Sequence, residues 1–325
     1  MRGGWYLYCV FFVLAITGIV ACGGGGGGSD TGAGASDGSA TTSVGTITSF
    51  GSVYVNGTKF ETDDDTVFML NEHWANQDEL RIGMKVKIMG TYRDDGDFHY
   101  AKSIEYDKDL EGPISGIDID MGDPTIKKIN IFGKIVIVDQ DKTVFEDTSF
   151  DDLAVGMVVE VSGYVDANNN LRATWLEKES DFYAEDDEFE IEGVIVSLNE
   201  DEMTFMIDNL LVDYSKAYFE DMSAEMLEVG RYVEVKGKLD VASGKLIAYE
   251  IELKDDDMDW DDDEEVEIEG YITVVISEYE FKINGWCVRV TPGETEFEHG
   301  TPDDIKENEK VEVKGRVGDS GCVMA

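Results

Sequence analysis

The sequence is poor in the residues from which most catalytic and metal sites are built. Its 325 residues include three histidines, four cysteines and four prolines. His73, His99 and His299 stand at unrelated places, and the sequence contains no H-E-x-x-H, Cys-x-x-Cys, phosphate-loop or dinucleotide-binding motif. We therefore expect a protein without catalytic residues that is not an enzyme, and we expect no cofactor other than weakly bound Ca²⁺.

Positive charge is also scarce. There are 26 Lys and Arg residues against 71 Asp and Glu residues, which gives a formal net charge of −45. Nucleic-acid affinity depends on Lys and Arg side chains that displace counterions from phosphates, so this balance excludes nucleic acid as a partner. Carboxylates are so abundant that a pair of them does not indicate a glycosidase.

What the sequence does contain is one pattern repeated four times. Each copy opens with a glycine before a short apolar strand, at Gly45, Gly112, Gly193 and Gly270. About forty residues later a strand with two glycines follows, in 82–90, 155–163, 229–237 and 307–315. The fourth copy has Asn308 in place of the first of these glycines. Self-similarity at this period predicts one small structural unit used repeatedly.

Within each repeat the pattern is that of β-strands. Asn56-Gly57 and Asn284-Gly285 predict tight hairpins, because both central positions need a positive φ, and Phe132-Gly133 and Asp208-Asn209 occupy the same place in repeats 2 and 3. The aromatics predicted to lie in the core are Phe68, Phe145, Phe219 and Phe297, and a helical turn is expected to lead into the two-glycine strand. That strand alternates: apolar residues face the core, and charged ones such as Glu160 and Glu234 are expected to face water.

This pattern predicts an all-β fold, a tandem array of four small OB-like Greek-key barrels, with β-sandwich repeats as the alternative. The predicted segments are a signal peptide (1–21), a flexible tether (22–43), repeat 1 (44–110), repeat 2 (111–180), repeat 3 (190–254), an acidic linker (255–266) and repeat 4 (267–325). The closing strand of repeat 4 is cut short at Ala325, so we expect either an open barrel edge or a truncated product.

The glycine start, the hairpin and the two-glycine strand followed by A-x-x-[IL]-E together resemble a known family. It is the bacterial repeat family called domain of unknown function number 5666, and the resemblance covers 45–325. The resemblance implies an exported, often lipid-anchored, tandem OB-like protein. It implies no activity, no catalytic residue and no ligand.

The N-terminus has the order of a secretory signal. Arg2 precedes an apolar run over 5–20, which is short for a membrane span, and Ile19-Val20-Ala21-Cys22 follows. This order resembles that of bacterial lipoproteins, which implies that Cys22 carries the acyl chains, palmitate among them, and that the membrane is a partner through this anchor. The alternative is an uncleaved N-terminal anchor. Gly23 rather than Asp after Cys22 implies, for a Gram-negative source, sorting to the outer membrane.

Two of the remaining cysteines lie in the last repeat. In an exported protein Cys287 and Cys322 could form a disulfide, or they could be two unpaired small apolar residues.

The acids are concentrated where one repeat passes to the next. Residues 255–269 contain eleven of them, with a looser run over 177–192. Such runs favour either a solvated, self-repelling linker or a weak Ca²⁺ site. The candidate Ca²⁺ ligands are the linker residues Asp255, Asp257, Asp261 and Asp263, and Asp166, Asn168 and Asn170 in a loop that also varies as a hairpin turn would.

Taken together, the sequence predicts a non-enzymatic, lipid-anchored scaffold or binding module of the cell envelope, with a protein or polysaccharide partner. The alternative is a Ca²⁺-responsive acidic surface protein, followed by an enzyme that acts on envelope polymers.

The Ca²⁺ hypothesis predicts that thermal unfolding shifts upward with millimolar Ca²⁺ and not with Mg²⁺ at matched ionic strength. A ligand selective for the folded state stabilises it by about 2.7 kcal/mol at a hundredfold excess over Kd. The solvated-linker hypothesis predicts the same unfolding curve with Ca²⁺, with Mg²⁺ and with chelator.

Overall fold

A computed structural model describes residues 39–93, 98–184, 187–220, 222–240, 243–254, 260, 264–318 and 320–325. Within these ranges the chain forms strands and three single turns of 3₁₀ helix, so the predicted all-β class is confirmed. None of the described helices is long and apolar enough to cross a membrane. Asp37–Ala325 form one compact unit.

The strands follow the four repeats. Repeat 1 contains β1 (Ser39–Ser49), β2 (Val53–Val55), β3 (Thr58–Glu61), β4 (Val67–Leu70), β5 (His73–Trp74), β6 (Lys85–Arg93) and β7 (Phe98–Tyr106). Repeat 2 contains β8 (Leu110–Ile119), β9 (Ile126–Ile131), β10 (Lys134–Asp139), β11 (Val144–Glu146), β12 (Val158–Val165) and β13 (Leu171–Ser180). Repeat 3 contains β14 (Phe189–Asn199), β15 (Thr204–Ile207), β16 (Leu210–Asp213), β17 (Tyr218–Glu220), β18 (Tyr232–Asp240) and β19 (Lys245–Leu253). Repeat 4 contains β20 (Glu265–Ser277), β21 (Glu280–Ile283), β22 (Trp286–Arg289), β23 (Lys310–Val317) and β24 (Val323–Met324). The 3₁₀ turns are Gln77–Glu79, Ala224–Met226 and Pro302–Asp304, at the predicted place before the two-glycine strand.

Each repeat closes into a five-stranded barrel. In repeat 1, β1 pairs with β2 and β6, β2 with β3, and β3 runs parallel to β7, which pairs back to β6. The same circuit recurs in repeats 2 and 3. In repeat 4 the two-residue β24 joins β22 to β23, so this barrel is also closed. The OB-like prediction is confirmed, and the open edge, one of the two expectations for repeat 4, is not found among the described strands.

The hairpin turns have the predicted backbone. Asn56 and Asn284 have φ of 52° and 48°, and Phe132 and Asp208 have φ of 51° and 50° at the same position. The turn is therefore retained although Phe132 is an unusual residue for the left-handed region.

The two glycines of the two-glycine strand, which we also call the signature strand, are required for different reasons. The first has a positive φ in Gly83, Gly156 and Gly230, and Asn308 adopts 69° at the same place. Asparagine tolerates this region better than other non-glycine residues, which explains the substitution. The second glycine allows close approach of two strands. A Cβ on Gly163 would lie 2.2 Å from the carbonyl oxygen of Arg172, and equivalent contacts occur at Gly90, Gly237 and Gly315.

The repeats are not arranged as a line of separate modules. β1 runs parallel to β20, so repeats 1 and 4 share one sheet, and repeats 2 and 3 share another. This pairing also corrects the boundary of the tether. Thr41, Thr42 and Ser43 are buried in β1, because β20 and β6 supply backbone partners that the local sequence does not reveal.

The prediction that charged residues of the two-glycine strand face water is wrong for Glu160 and Glu234. Both are buried, as are Glu190 and Glu267 on the opening strands of repeats 3 and 4. The outer faces of the barrels pack against one another, which a pattern within a single repeat cannot show.

The prediction that Phe297 lies in the core is also wrong. Phe68, Phe145 and Phe219 pack against the cores, paired through β4, β11 and β17 with the closing strand of their barrel. Phe297 is 37% exposed. Unlike the other three, Phe297 lies in no strand.

We expect Gly163→Ala to destabilise the protein by about 1–3 kcal/mol, because the new methyl group would collide with the backbone of β13. Gly116→Ala in the same repeat is the matched control, since its nearest neighbour would be 3.9 Å away. Denaturant unfolding measures both, and equal stability of the two variants would contradict the close-approach explanation.

Candidate functional site at the junctions between repeats

The linker from β7 to β8 lies in a junction of charged side chains. The Lys85 ammonium contacts the buried carboxylate of Asp109, whose Oδ2 accepts a hydrogen bond from the Gly163 backbone N at 2.8 Å. The Lys85 backbone N donates to Ser162 Oγ at 2.9 Å. Repeat 2 is thereby attached to the signature strand of repeat 1 through polar contacts.

Two carboxyl groups at this junction have pKa values above the usual range. Burial raises the pKa of Glu192 to about 8, and the nearby Asp109 charge adds to the effect while Lys85 opposes it. Burial likewise raises the pKa of Glu190 to about 7, although Lys108 lies 3.6 Å away and opposes the shift. Tyr232 donates a hydrogen bond to Glu192 Oε2 at 3.0 Å.

A second charged group joins repeats 1 and 3. Glu72, Glu234 and Glu252 place carboxylate oxygens within 4.8 Å of one another, a spacing that could hold a metal ion. Two ammonium groups already lie among them. Lys254 is 2.9 Å from Glu234 and 2.8 Å from Glu252, and Lys236 also contacts Glu234, at 3.1 Å. These lysines supply the positive charge that a cation would bring.

Repeat 2 contacts repeats 1 and 4 through Tyr164. Its hydroxyl is 2.8 Å from Thr46 Oγ1 and 2.8 Å from Glu269 Oε1, and Lys310 lies over the ring. Trp175 of repeat 2 is 1% exposed in the core of repeat 1, edge-on to Tyr106. Trp175 is not among the predicted core aromatics, because its partner belongs to another repeat.

The predicted Asp166 loop is a hairpin turn in which the carboxylate accepts from its own neighbours. Asp166 is 2% exposed. Its Oδ1 accepts from the backbone N of Asn168 and Asn170 at 2.9 and 3.0 Å, and its Oδ2 from Arg172 Nε at 3.0 Å. With these donors and the Arg172 charge in place, Asp166 has little capacity to bind a cation. Asn168 and Asn170 instead line a neighbouring cleft.

The amide cleft, as we name it, lies where the turns of repeats 2 and 3 meet. Its volume is about 340 Å³. Lys134 Nζ donates to Asn169 Oδ1 at 2.8 Å, and the Asn169 amide donates to Asp208 Oδ1. Asp208 Oδ2 is 3.3 Å from Lys134 Nζ without an aligned hydrogen bond. The lining residues are Gly133, Lys134, Ile135, Asn168, Asn169, Asn170, Val196, Asp208 and Asn209. The sequence alone does not reveal this cleft, because its walls come from two repeats.

The other predicted residues are spread over the molecule. Cys287 and Cys322 are joined by a disulfide that links β22 to the segment before β24. His73 and His299 are exposed, and His99 packs against Phe60. Cys22, Asp255, Asp257, Asp261 and Asp263 lie outside the described residues, so the lipid site and the linker Ca²⁺ site stay predictions.

Comparison with known proteins identifies the repeat but not its activity. A family model described as Domain of unknown function (DUF5666) matches residues 44–105, 111–177, 187–252 and 269–325, one segment for each barrel. The resemblance predicted from the repeat motifs is thereby confirmed. No curated protein matches the chain. A solved structure titled "drosophila Unr CSD456" is similar at 11% sequence identity and a TM-score of 0.21, over 68% of this chain and 99% of that one. Similarity at this level carries no information on the site.

The pKa shift of Glu192 predicts that the protein is more stable at pH 5 than at pH 8. The folded carboxyl, with a pKa of about 8 against an ordinary 4.5, holds a proton that the unfolded chain has lost, so stability falls as pH rises through this window. Glu192→Gln mimics the protonated form, and its melting temperature should fall less between pH 5 and pH 8.

Glu225→Gln, at an exposed position, is the control for the general effect of removing one negative charge. If the melting temperatures of the parent, of Glu192→Gln and of Glu225→Gln all fall equally between pH 5 and pH 8, the assignment of the effect to Glu192 is wrong.

Proposed function

The chain belongs to the family described as Domain of unknown function (DUF5666), and on that premise we propose that it is a lipid-anchored, non-enzymatic binding module of the cell envelope. The observation that carries the proposal is the order of segments at the N-terminus. A charged residue, an apolar run and Ala21-Cys22 are followed by six glycines and a polar stretch, and the first described strand begins at Ser39. A glycine-rich stretch of this composition behaves as a flexible tether.

Attachment at Cys22 would hold the folded unit close to a bilayer without inserting it. Each buried methylene contributes about 0.8 kcal/mol, so several acyl chains on one residue give durable attachment. The −45 charge disfavours contact between the protein surface and anionic lipids. In a Gram-negative cell, Gly23 favours the outer membrane as the destination.

The contacts of the buried carboxylates fit a non-enzymatic binding module, because these groups are occupied in contacts between repeats. Glu160, Glu190 and Glu192, whose pKa values are raised, lie at junctions between barrels, where Tyr106, Lys108 and Tyr232 contact them. In these positions they hold repeats together. A Ca²⁺-responsive function would rest on the acid run at 255–263, since Asp166 and the Glu72 group already have positively charged partners.

We expect Cys22→Ser to abolish incorporation of labelled palmitate and to release the protein from the membrane fraction of a Gram-negative host. Cys9→Ser is the matched control, because Cys9 lies in the segment that is cleaved off, and its labelling should equal that of the parent. A parent protein that incorporates no palmitate, or a Cys22→Ser protein that is labelled as strongly as the parent, would overturn the lipid-anchor proposal.

A further inference from the structure

We infer that the amide cleft between repeats 2 and 3 binds an uncharged, polyhydroxylated ligand, that is, a saccharide. The inference deepens the proposed binding function by naming a site and a ligand class. It depends on the charge balance, the hydrogen-bonding groups and the apolar patch of the cleft.

The walls of the cleft are held in place before any ligand arrives. Lys134 is almost fully buried and donates to Asn169 at 2.8 Å, and Asn169 in turn donates to Asp208 across the junction of the two repeats. The turn carrying Asn168 and Asn170 is fixed by the buried Asp166 carboxylate. A preformed site loses less conformational entropy when it binds.

The charges in and around the cleft disfavour both metal cations and anionic ligands. The Asp208 carboxylate already has the Lys134 ammonium at 3.3 Å, so the cleft contains no uncompensated carboxylate for a metal ion. The same pairing neutralises Lys134, and the −45 charge of the chain repels an anionic ligand. An uncharged ligand pays neither cost.

The remaining polar groups suit hydroxyls. Asn209 is exposed and its amide makes no hydrogen bond to the described residues. Asn168 and Asn170 also line the cleft; their amide nitrogens donate to Asn308 and to Asp166, so they offer a ligand their amide oxygens as acceptors. An asparagine amide presents an acceptor and a donor side by side, while each hydroxyl can both donate and accept. Neighbouring hydroxyls of a sugar therefore match such amides.

An apolar patch completes the cleft. Val196 is 50% exposed, at an outward position of β14 where solvent contact normally favours a polar residue, and Ile135 lies half-buried beside it. The C–H face of a sugar ring could cover these side chains and remove apolar surface from water. A volume of about 340 Å³ is at the lower end for small-molecule sites, so we expect one or two sugar rings to be bound.

The test is titration of the full chain with maltotriose, cellotriose, mannotriose and triacetylchitotriose, with trigalacturonate as the anionic counterpart. The protein is held in a zwitterionic detergent without a sugar headgroup, and binding is measured by calorimetry and saturation-transfer NMR. We expect at least one neutral trisaccharide to bind and trigalacturonate to bind at least tenfold more weakly.

Two variants assign the binding to the cleft. Asn209→Ala removes the free amide, and Asn209→Trp fills the cleft from an exposed position; we expect at least tenfold weaker binding for the second. Gln140→Ala, an exposed amide after the other end of β10, is the control and should bind as the parent does. Melting temperatures verify that all three are folded.

Three results would overturn the inference: no neutral trisaccharide bound at millimolar concentration, trigalacturonate bound as well as the neutral sugars, or Asn209→Trp binding like the parent. None of these bears on the anchor, which is tested by palmitate labelling. Failure of the saccharide site and failure of the lipid-anchor proposal are therefore distinguishable.

Discussion

The arrangement of the four barrels depends on the requirement that a buried charge have a partner. The outward-facing residues of the signature and opening strands are largely charged, and packing the barrels together removes many of them from water. An unpaired buried charge is very costly, so the contacts of Lys134 with Asp208, between repeats 2 and 3, and of Lys108 with Glu190, between repeats 1 and 3, limit how the repeats can fit together. Such pairs contribute little net stability, because desolvation offsets their attraction. Their effect is on which packing is permitted.

Much of each barrel follows from local sequence, and almost none of the packing between barrels does. Alternation in a strand and a left-handed turn at Asn56-Gly57 are local properties, so the strands, turns and OB-like closure could be predicted. Glu160 illustrates the limit. Its alternation is that of a solvent-facing residue, yet Tyr106 from repeat 1 donates to it at 2.7 Å and both are buried. The partner is supplied by a different repeat, and no periodicity within repeat 2 contains it.

The amide cleft shows the same limit for a candidate site. Asn168 and Asn170 stand out in the sequence because oxygen-bearing side chains alternate there, a pattern shared by Ca²⁺ loops and hairpin turns. The buried Asp166 carboxylate, with backbone N–H groups and Arg172 as donors, is that of a turn. Asp208 and Asn209, which lie in another hairpin some forty residues later, turn a feature of one loop into a lined cleft.

The parallel pairing of β1 with β20 has a consequence for the order in which the parts of the chain can fold. Thr42 and Glu264, which are hydrogen-bonded to each other, are 222 residues apart, so the sheet shared by the first and last barrels cannot form until nearly the whole chain has been synthesised. Contacts of such long sequence separation form late and slowly. Until then the N-terminal half of β1 lacks its β20 partner, and during that interval this exposed edge is open to pairing with another polypeptide.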